Sequence, residues 1–199
     1  GNVMVHISDC AVPLAEVLAL LRDEDIVTHC FTGRGSAQMV NAKGKLDPAC
    51  LEARERNIHF DVAHGAGSFS VWVARAALEA GFPPDMISTD IHGVNVNGPV
   101  WDLPAVMSKF LALGMTVEEV VQCATQAPAS WLDIEAYDDG LGRLQEDGPA
   151  DIAVLRLENG DFDWVDTEGE HFRGSQRLVA VHTIRAGRLW GRPFRYPDW

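Results

Sequence analysis

The stretch Ile58-His-Phe-Asp-Val-Ala-His-Gly-Ala-Gly-Ser68 decides the fold of this chain. It begins as a short, mainly apolar run over Ile58–Val62, which is typical of a strand buried on both faces. A glycine-rich loop with His64 follows, and Ser68 then predicts the N-cap of a helix that ends at Gly81. The stretch therefore predicts one unit of strand, polar loop and helix.

The same unit occurs four times in the first half of the chain. Short runs at Val3–Ile7, Asp25–His29 and Met86–Asp90 predict three further strands, and helices are predicted to begin at Pro13 and Pro48. Strands that alternate with helices in this way predict a parallel sheet built from βαβ units.

The remainder of the chain divides into a helical stretch and a β-rich stretch. Helices are predicted at about Leu103–Leu113, Val117–Cys123 and Pro128–Leu132. Beyond them, four short strands are predicted between Gly, Asp and Asn turns, at Gly140–Leu144, Ala150–Leu155, Phe162–Val165 and Leu178–Ala186. We therefore expect an α/β unit over residues 1–139 and a small β domain segment over residues 140–199.

Composition excludes some classes of partner. The 199 residues carry a formal net charge of -13, which argues against binding to nucleic acid or to an anionic membrane. The four cysteines form no CxxC pair, and no run of about 18 apolar residues or signal peptide is seen. We expect reduced thiols in a cytoplasmic protein.

Residues able to bind a metal or move a proton stand at the end of each predicted strand: His6, His29, His64 and Asp90. Each alone is more often structural, as a hydrogen-bonded histidine or a turn-forming aspartate. In a parallel barrel, however, the carboxyl ends of the strands converge on one mouth. Imidazole and carboxylate together suit Zn²⁺, which activates water for attack on a carbonyl.

Five motifs stand out along the chain: Thr28-His-Cys-Phe-Thr-Gly33, Phe60-Asp-Val-Ala-His-Gly-Ala-Gly-Ser-Phe69, Ile87-Ser-Thr-Asp-Ile-His92, Thr125-Gln-Ala-Pro-Ala129, and Gly142-Arg-Leu-Gln-Glu-Asp-Gly-Pro-Ala-Asp-Ile-Ala-Val154. Together they closely resemble a subgroup of the amidohydrolase superfamily labelled dihydroorotase-like or deacetylase, which is similar to enzymes that hydrolyse acetylated α-hydroxy acids such as acetyl-mandelate. The resemblance implies strands 5–8 of a (β/α)₈ TIM barrel over residues 1–139. Part of a flanking β-sandwich is implied over residues 140–199.

The resemblance also implies roles for individual residues. His6 and His29 match metal ligands on strands 5 and 6, and Asp90 matches the strand 8 residue that touches metal and shuttles the proton. His64, Gly65 and His92 are expected to face the substrate, although a turn role for His92 also fits its Gly/Asn/Pro loop. Two divalent ions, zinc by preference, are expected in the complete site.

The chain departs from the family pattern in what it lacks. It contains no HxH pair, and its three lysines (Lys43, Lys45 and Lys109) do not stand at a strand end before His6, where a carboxylated lysine is expected. Strands 1–4 are absent, so this chain alone is expected to be inactive. Open strand edges would favour aggregation, so we expect the missing half from the same gene product or, second, from another copy of the chain in a homo-oligomer.

The resulting hypothesis is a zinc hydrolase that cleaves an amide or ester of a small carboxylate-bearing metabolite by metal-activated water. Asp90 would act as general base and then as general acid. Two alternatives stay open: a cyclic-amide hydrolase acting on rings such as dihydroorotate or hydantoin, and a non-catalytic half-barrel module.

Overall fold

A computed structural model of the chain describes residues 1–132 and 140–191. Within these residues it contains six helices, a three-stranded parallel sheet and a three-stranded antiparallel sheet. In chain order the elements are β1 (Met4–His6), α1 (Leu14–Leu20), β2 (Ile26–Thr28), α2 (Pro48–Glu55), β3 (His59–Asp61), α3 (Val71–Glu79), α4 (Leu103–Ala112), α5 (Val117–Ala124), α6 (Gln126–Trp131), β4 (Ile152–Val165), β5 (His171–Arg185) and β6 (Arg188–Trp190).

The parallel sheet has the order β1-β2-β3, and each crossover contains a helix. His6 pairs with Thr28, which in turn pairs with Asp61, so these three residues form one row across the sheet. Paired residues in a parallel ladder point to the same face of the sheet. The predicted α/β class with parallel strands is confirmed.

The predicted strand at Met86–Asp90 is not a regular strand. Met86 forms one isolated parallel bridge with Asp61, and the N–H groups of Val62 and His64 donate to the carbonyls of Met86 and Ser88. Between these bonds, the N–H of Ala63 donates to the hydroxyl of Ser88 at 3.2 Å. A side chain thus takes the place of a backbone acceptor, and the segment runs beside β3 without a full ladder.

The predicted N-cap at Ser68 is wrong, because α3 begins at Val71 with Ser70 at the N-cap. The side chain of Ser70 makes no capping bond. Instead, the carboxylate of Asp166, on the turn between β4 and β5, accepts from the N–H of Val71 at 2.9 Å. A carboxylate at this position satisfies an unpaired N–H and interacts favourably with the helix dipole.

The antiparallel sheet has the order β4-β5-β6 and is dominated by one long hairpin. The predicted strands Ala150–Leu155 and Phe162–Val165 are both part of β4, because two register shifts allow the strand to bend without ending. The predicted strand at Gly140–Leu144 is wrong, since these residues form turns and a bend.

The hairpin packs on α4 and shares the core of the parallel sheet. Trp164, Phe172 and Leu178 are buried in the same hydrophobic cluster as the strands β2 and β3. The N–H of Leu178 donates to the hydroxyl of Ser108 on α4 at 2.8 Å, which fixes the register between helix and hairpin.

The predicted division at residue 139 stays a prediction, since residues 133–139 lie outside the described residues. The aromatic residues near the end of the sequence (Trp190, Phe194, Tyr196 and Trp199) are of a type that packs in a β domain or an interface. Trp190 is exposed at the end of β6, and the other three lie outside the described residues. None of the helices in residues 1–132 and 140–191 has the length and apolar character needed to cross a lipid bilayer.

Candidate functional site

A cavity of about 550 Å³ lies along the face of the parallel sheet. Apolar side chains, among them Met4, Ile26 and Met86, line the part that corresponds to the beginning of the strands. The polar residues that line it come from the strand ends and from the loops that follow them: Thr28, His29, Asp61, Ser88, Thr89 and Asp90. The chemistry of the chain is therefore concentrated at the carboxyl end of the sheet, as expected for parallel strands.

His29 faces the cavity because the backbone leaves the β conformation at this residue. In a continuing strand, His29 would point to the face opposite Thr28. Its φ of 65° turns the chain, and both side chains line the cavity. The Nδ1–H of His29 donates to the carbonyl of Ala63 at 2.7 Å, so the other ring nitrogen, Nε2, carries the free lone pair of the neutral imidazole.

His6 lies directly beside His29. The two ring centroids are 4.3 Å apart, and the rings meet edge to face at 79°. The Nε2–H of His6 donates to the carbonyl of Ser8 at 3.2 Å, which leaves Nδ1 as the lone-pair nitrogen of a neutral ring. Each imidazole thus uses one nitrogen to contact a backbone carbonyl and keeps the other for a ligand.

Burial lowers the pKa of His29, and the neighbouring His6 acts in the same direction. The hydrogen bond to Ala63 and the charges of Asp90 and Asp61 oppose this effect without reversing it. A histidine held neutral is in the state that binds a metal, and a carbonyl on the other ring nitrogen is the usual way of orienting such a ligand.

Asp90 is exposed at the end of the segment that follows Met86 and adopts a φ of 47°. Its position is fixed by Asn95, a buried residue whose side-chain amide donates to the carbonyl of Asp90 at 2.9 Å. Gly65 packs against its carboxylate, because a Cβ at Gly65 would lie 2.9 Å from Oδ2 of Asp90.

These residues fit part of a metal site. Two adjacent imidazoles suit a first-row divalent ion, and such an ion needs at least one or two further ligands. A group of three or more His, Cys, Asp or Glu side chains with ligand geometry is not found in the described part of the chain. His6 and His29 are therefore brought together, and Asp90 borders the same cavity without completing a ligand set.

Asp61 was missed by the sequence analysis, although a carboxylate inside an apolar strand was a visible signal. It is buried, and its Oδ2 accepts from the hydroxyls of Thr28 at 2.8 Å and Ser88 at 2.9 Å. Its Oδ1 has no hydrogen-bond partner in residues 1–132 and 140–191. Burial raises the pKa of Asp61 despite these hydroxyl donors.

His64 does not point into the cavity in this structure. Its ring is completely buried and stacks on Phe69 with centroids 4.6 Å apart. Nδ1 lies 3.0 Å from the carbonyl of Gly65, and Nε2 lies 2.6 Å from the ammonium nitrogen of Lys109. The predicted substrate contact of His64 stays a prediction, and its structural partner, Lys109, was missed because only strand-end lysines were considered.

His92 and two further polar residues near the site, Arg34 and Cys30, lie in loops or in the core. The N–H of Val94 donates to Nδ1 of His92 at 3.3 Å, as expected for a turn residue, and His92 is exposed beside Asp90. Arg34 is exposed on its loop. Cys30 is completely buried, and burial raises the pKa of its thiol well above the usual value, which fits a core filler better than a nucleophile.

No protein-family model matches the chain. Over 191 residues it is 38% identical to a deacetylase from Agrobacterium fabrum and 36% identical to a deacetylase from Brucella anthropi; in both cases the match covers 93% of this chain and 46% of the relative. A deacetylase from Enterococcus faecalis is 31% identical over 188 residues, with 94% of this chain and 50% of the relative covered.

Two solved structures have the same arrangement of elements. The crystal structure of a dihydroorotase matches with a TM-score of 0.81 and 34% identity, covering 94% of this chain and 50% of that one. The crystal structure of an adenine deaminase matches with a TM-score of 0.81 and 29% identity, covering 90% and 48%. The chain thus spans about half the length of the relatives it matches.

Proposed function

Because this chain belongs to the amidohydrolase superfamily, we propose that the protein containing it is a metal-dependent hydrolase of the deacetylase type. Its substrate would be an amide or ester of a small carboxylate-bearing metabolite. The observation that carries the proposal is the contact between His6 and His29. Their ring centroids lie 4.3 Å apart, each ring has one nitrogen without a hydrogen bond to the described residues, and His29 lines the cavity.

The proposed fold of the whole is a (β/α)₈ barrel whose strands 5–8 lie in residues 1–139, with part of a β-sandwich in residues 140–199. The coverage of about half of each relative supports this assignment. So does β1, which pairs only with β2 in the described residues and leaves an open edge for a preceding strand. We propose that the partner strands come from the same gene product.

In the proposed site, His6 and His29 would hold one divalent ion, zinc by preference, and Asp90 would contribute to binding a second. The ion, when bound, polarises the scissile carbonyl and increases the acidity of water. Asp90 takes the proton from the attacking water and returns it to the leaving group. Gly65 and His92 flank Asp90 and would face the substrate. All four cysteines are free thiols, which supports the expected cytoplasmic location.

The test uses the complete gene product with two variants and a control. His29→Ala should lower zinc affinity at least 10–100-fold, the loss usually seen even for residues that only orient a ligand, as measured by competition with a chelator. Asp90→Asn should lower kcat about 10²–10⁴-fold on acetylated amino acids or hydroxy acids. His182→Ala, which removes an exposed imidazole, should change neither value. Unchanged zinc affinity in His29→Ala would refute the assigned ligand.

A cyclic-amide hydrolase is the second candidate, and the dihydroorotase structure at 34% identity favours it. Both reactions use the same carbonyl chemistry, so only the substrate separates them. A panel that contains dihydroorotate and hydantoin beside the acetylated compounds decides between the two. Zinc binding without turnover of any compound would instead favour a non-catalytic module.

A further inference from the structure

Lys109 is a completely buried lysine in the middle of α4. Its Nζ lies 2.6 Å from Nε2 of His64, 2.7 Å from the carbonyl oxygen of Val165 and 2.8 Å from that of Pro99. Two of these acceptors are carbonyls, and the third is Nε2 of a neutral ring whose Nδ1 faces the carbonyl of Gly65 and therefore carries the proton, so all three contacts need an N–H donor from Lys109. The geometry is therefore that of an ammonium group, which is costly to bury without a purpose.

The carbonyl of Gly65 fixes the tautomer of His64. Because this carbonyl can only accept, Nδ1 of the neutral ring carries the proton and donates to it at 3.0 Å. Nε2 then carries the lone pair, and the ammonium of Lys109 donates to it. The buried charge is balanced by Asp166, whose carboxylate is held by the N–H groups of Val71, Glu168 and Glu170.

Gly65 connects this buried pair to the proposed site. Its φ of +60° is the left-handed conformation, and its N–H donates to the carbonyl of Thr89 at 2.9 Å. Asp90, which follows Thr89 in the chain, places its carboxylate against Gly65, at the position that a Cβ would need. A rotation of the Gly65 peptide would therefore break the hydrogen bond from His64 and change the contact between Gly65 and the carboxylate of Asp90.

We propose that Lys109 and His64 form a positioning pair that holds the Gly65 turn, and through it the carboxylate of Asp90, in its working orientation. In this proposal both residues act from behind the Gly65 turn, and the positioning role replaces the substrate contact predicted for His64 from the sequence. The inference rests on the proposed function, in which Asp90 transfers the proton. The hydrogen bonds that it requires around His64 and Gly65 can be measured without an activity assay. This geometric part can therefore be refuted independently of the proposed function.

The geometric part is tested by NMR of the complete gene product labelled with ¹⁵N, at about pH 6.5. The ring signals of His64, identified by their loss in His64→Phe, should be those of a neutral ring protonated at Nδ1. In Lys109→Met the Nε2 signal should move, and so should the amide signals of Gly65 and Asp90. Lys43→Met, which removes an exposed lysine, should leave all of them in place. A ring protonated at Nε2, or amides of Gly65 and Asp90 that do not respond, would overturn the proposal.

The functional part is tested by kinetics. Lys109→Met and His64→Phe should each lower kcat about 10–100-fold, the range found when residues that orient catalytic groups are lost, with KM changed less than about twofold. The double variant Lys109→Met/His64→Phe removes the charge together with its acceptor, and such apolar replacement is often neutral for stability. It therefore reports on activity even where a single variant folds poorly.

The double variant should be as slow as the slower single variant, because the two residues act as one unit. Wild-type kcat in a folded double variant would show that the pair serves stability alone. An inactive wild-type protein whose His64 ring is protonated at Nδ1 would contradict the proposed function and leave the geometric assignment intact.

Discussion

Raising the pH from 7 should stabilise this protein through Lys109. Burial lowers the pKa of Lys109 from 10.5 to about 7, although the charge of Asp166 acts in the opposite direction. Between these two values the unfolded chain keeps a proton on this lysine that the folded chain has lost. The unfolded state then binds more protons, so the free energy of unfolding rises with pH. Each tenfold change in proton affinity corresponds to about 1.4 kcal/mol, which gives a total of about 5 kcal/mol by pH 10.5.

The assay is urea unfolding of the complete gene product at pH 7, 8, 9 and 10, for wild type and Lys109→Met. Other groups titrate in both proteins, so their contributions cancel in the difference between the two free energies of unfolding. That difference should shift in favour of wild type by about 4 kcal/mol across the series. Lys43→Met should follow wild type, since Lys43 is exposed. A constant difference between wild type and Lys109→Met would show that the lysine keeps its proton, and the reasoning from burial would be wrong.

Two glycine substitutions test the packing around the site and around the hairpin. Gly65→Ala places a Cβ 2.9 Å from Oδ2 of Asp90, at a residue whose φ is +60°. We expect kcat to fall at least about tenfold and the free energy of unfolding to fall by about 1–2 kcal/mol. Unchanged kinetics would refute the close contact. Gly174→Ala brings a Cβ within 2.8 Å of Ala112 and 2.9 Å of the Trp164 ring nitrogen, which should lower the free energy of unfolding in urea by about 1–3 kcal/mol. Gly191→Ala, whose Cβ meets no atom of the described residues within 4 Å, should cost little. Equal losses would contradict the packing of the hairpin on α4.

The parallel sheet was predictable because its signals are local. Short apolar runs, proline at helix starts and a histidine at each strand end are all visible within about ten residues. The elements β1 to β3 and α1 to α6 accordingly lie close to their predicted positions. The contact between the rings of His6 and His29 follows from the same signals, because parallel register brings the ends of neighbouring strands together.

The failures share a different cause, which is contact between residues distant in sequence. The start of α3 is set by Asp166, which lies 95 positions from the N–H it accepts, so the local serine signal at Ser68 was misleading. Lys109 contacts His64 across 45 positions, and a lysine within the apolar stretch of α4 gives no hint of its partner. Sequence patterns of fixed period cannot report such contacts, since they describe only neighbours along one element.

The site itself is formed where the regular strand geometry ends. His29, Ala63 and Asp90 all have positive φ angles, and each follows a strand or the extended segment beside it. The left-handed conformation costs a non-glycine residue roughly 1–2 kcal/mol, so three such residues at one edge need support from their surroundings. That support is visible in the bonds to their backbone carbonyls: Ala63 accepts from the His29 ring, and Asp90 accepts from Asn95. The turn between them is held by His64 and Lys109. Burying an ammonium group has a large desolvation cost, so Lys109 is a poor choice if its role is stability alone. Its position behind this strained edge is the reason why we propose that it orients the site.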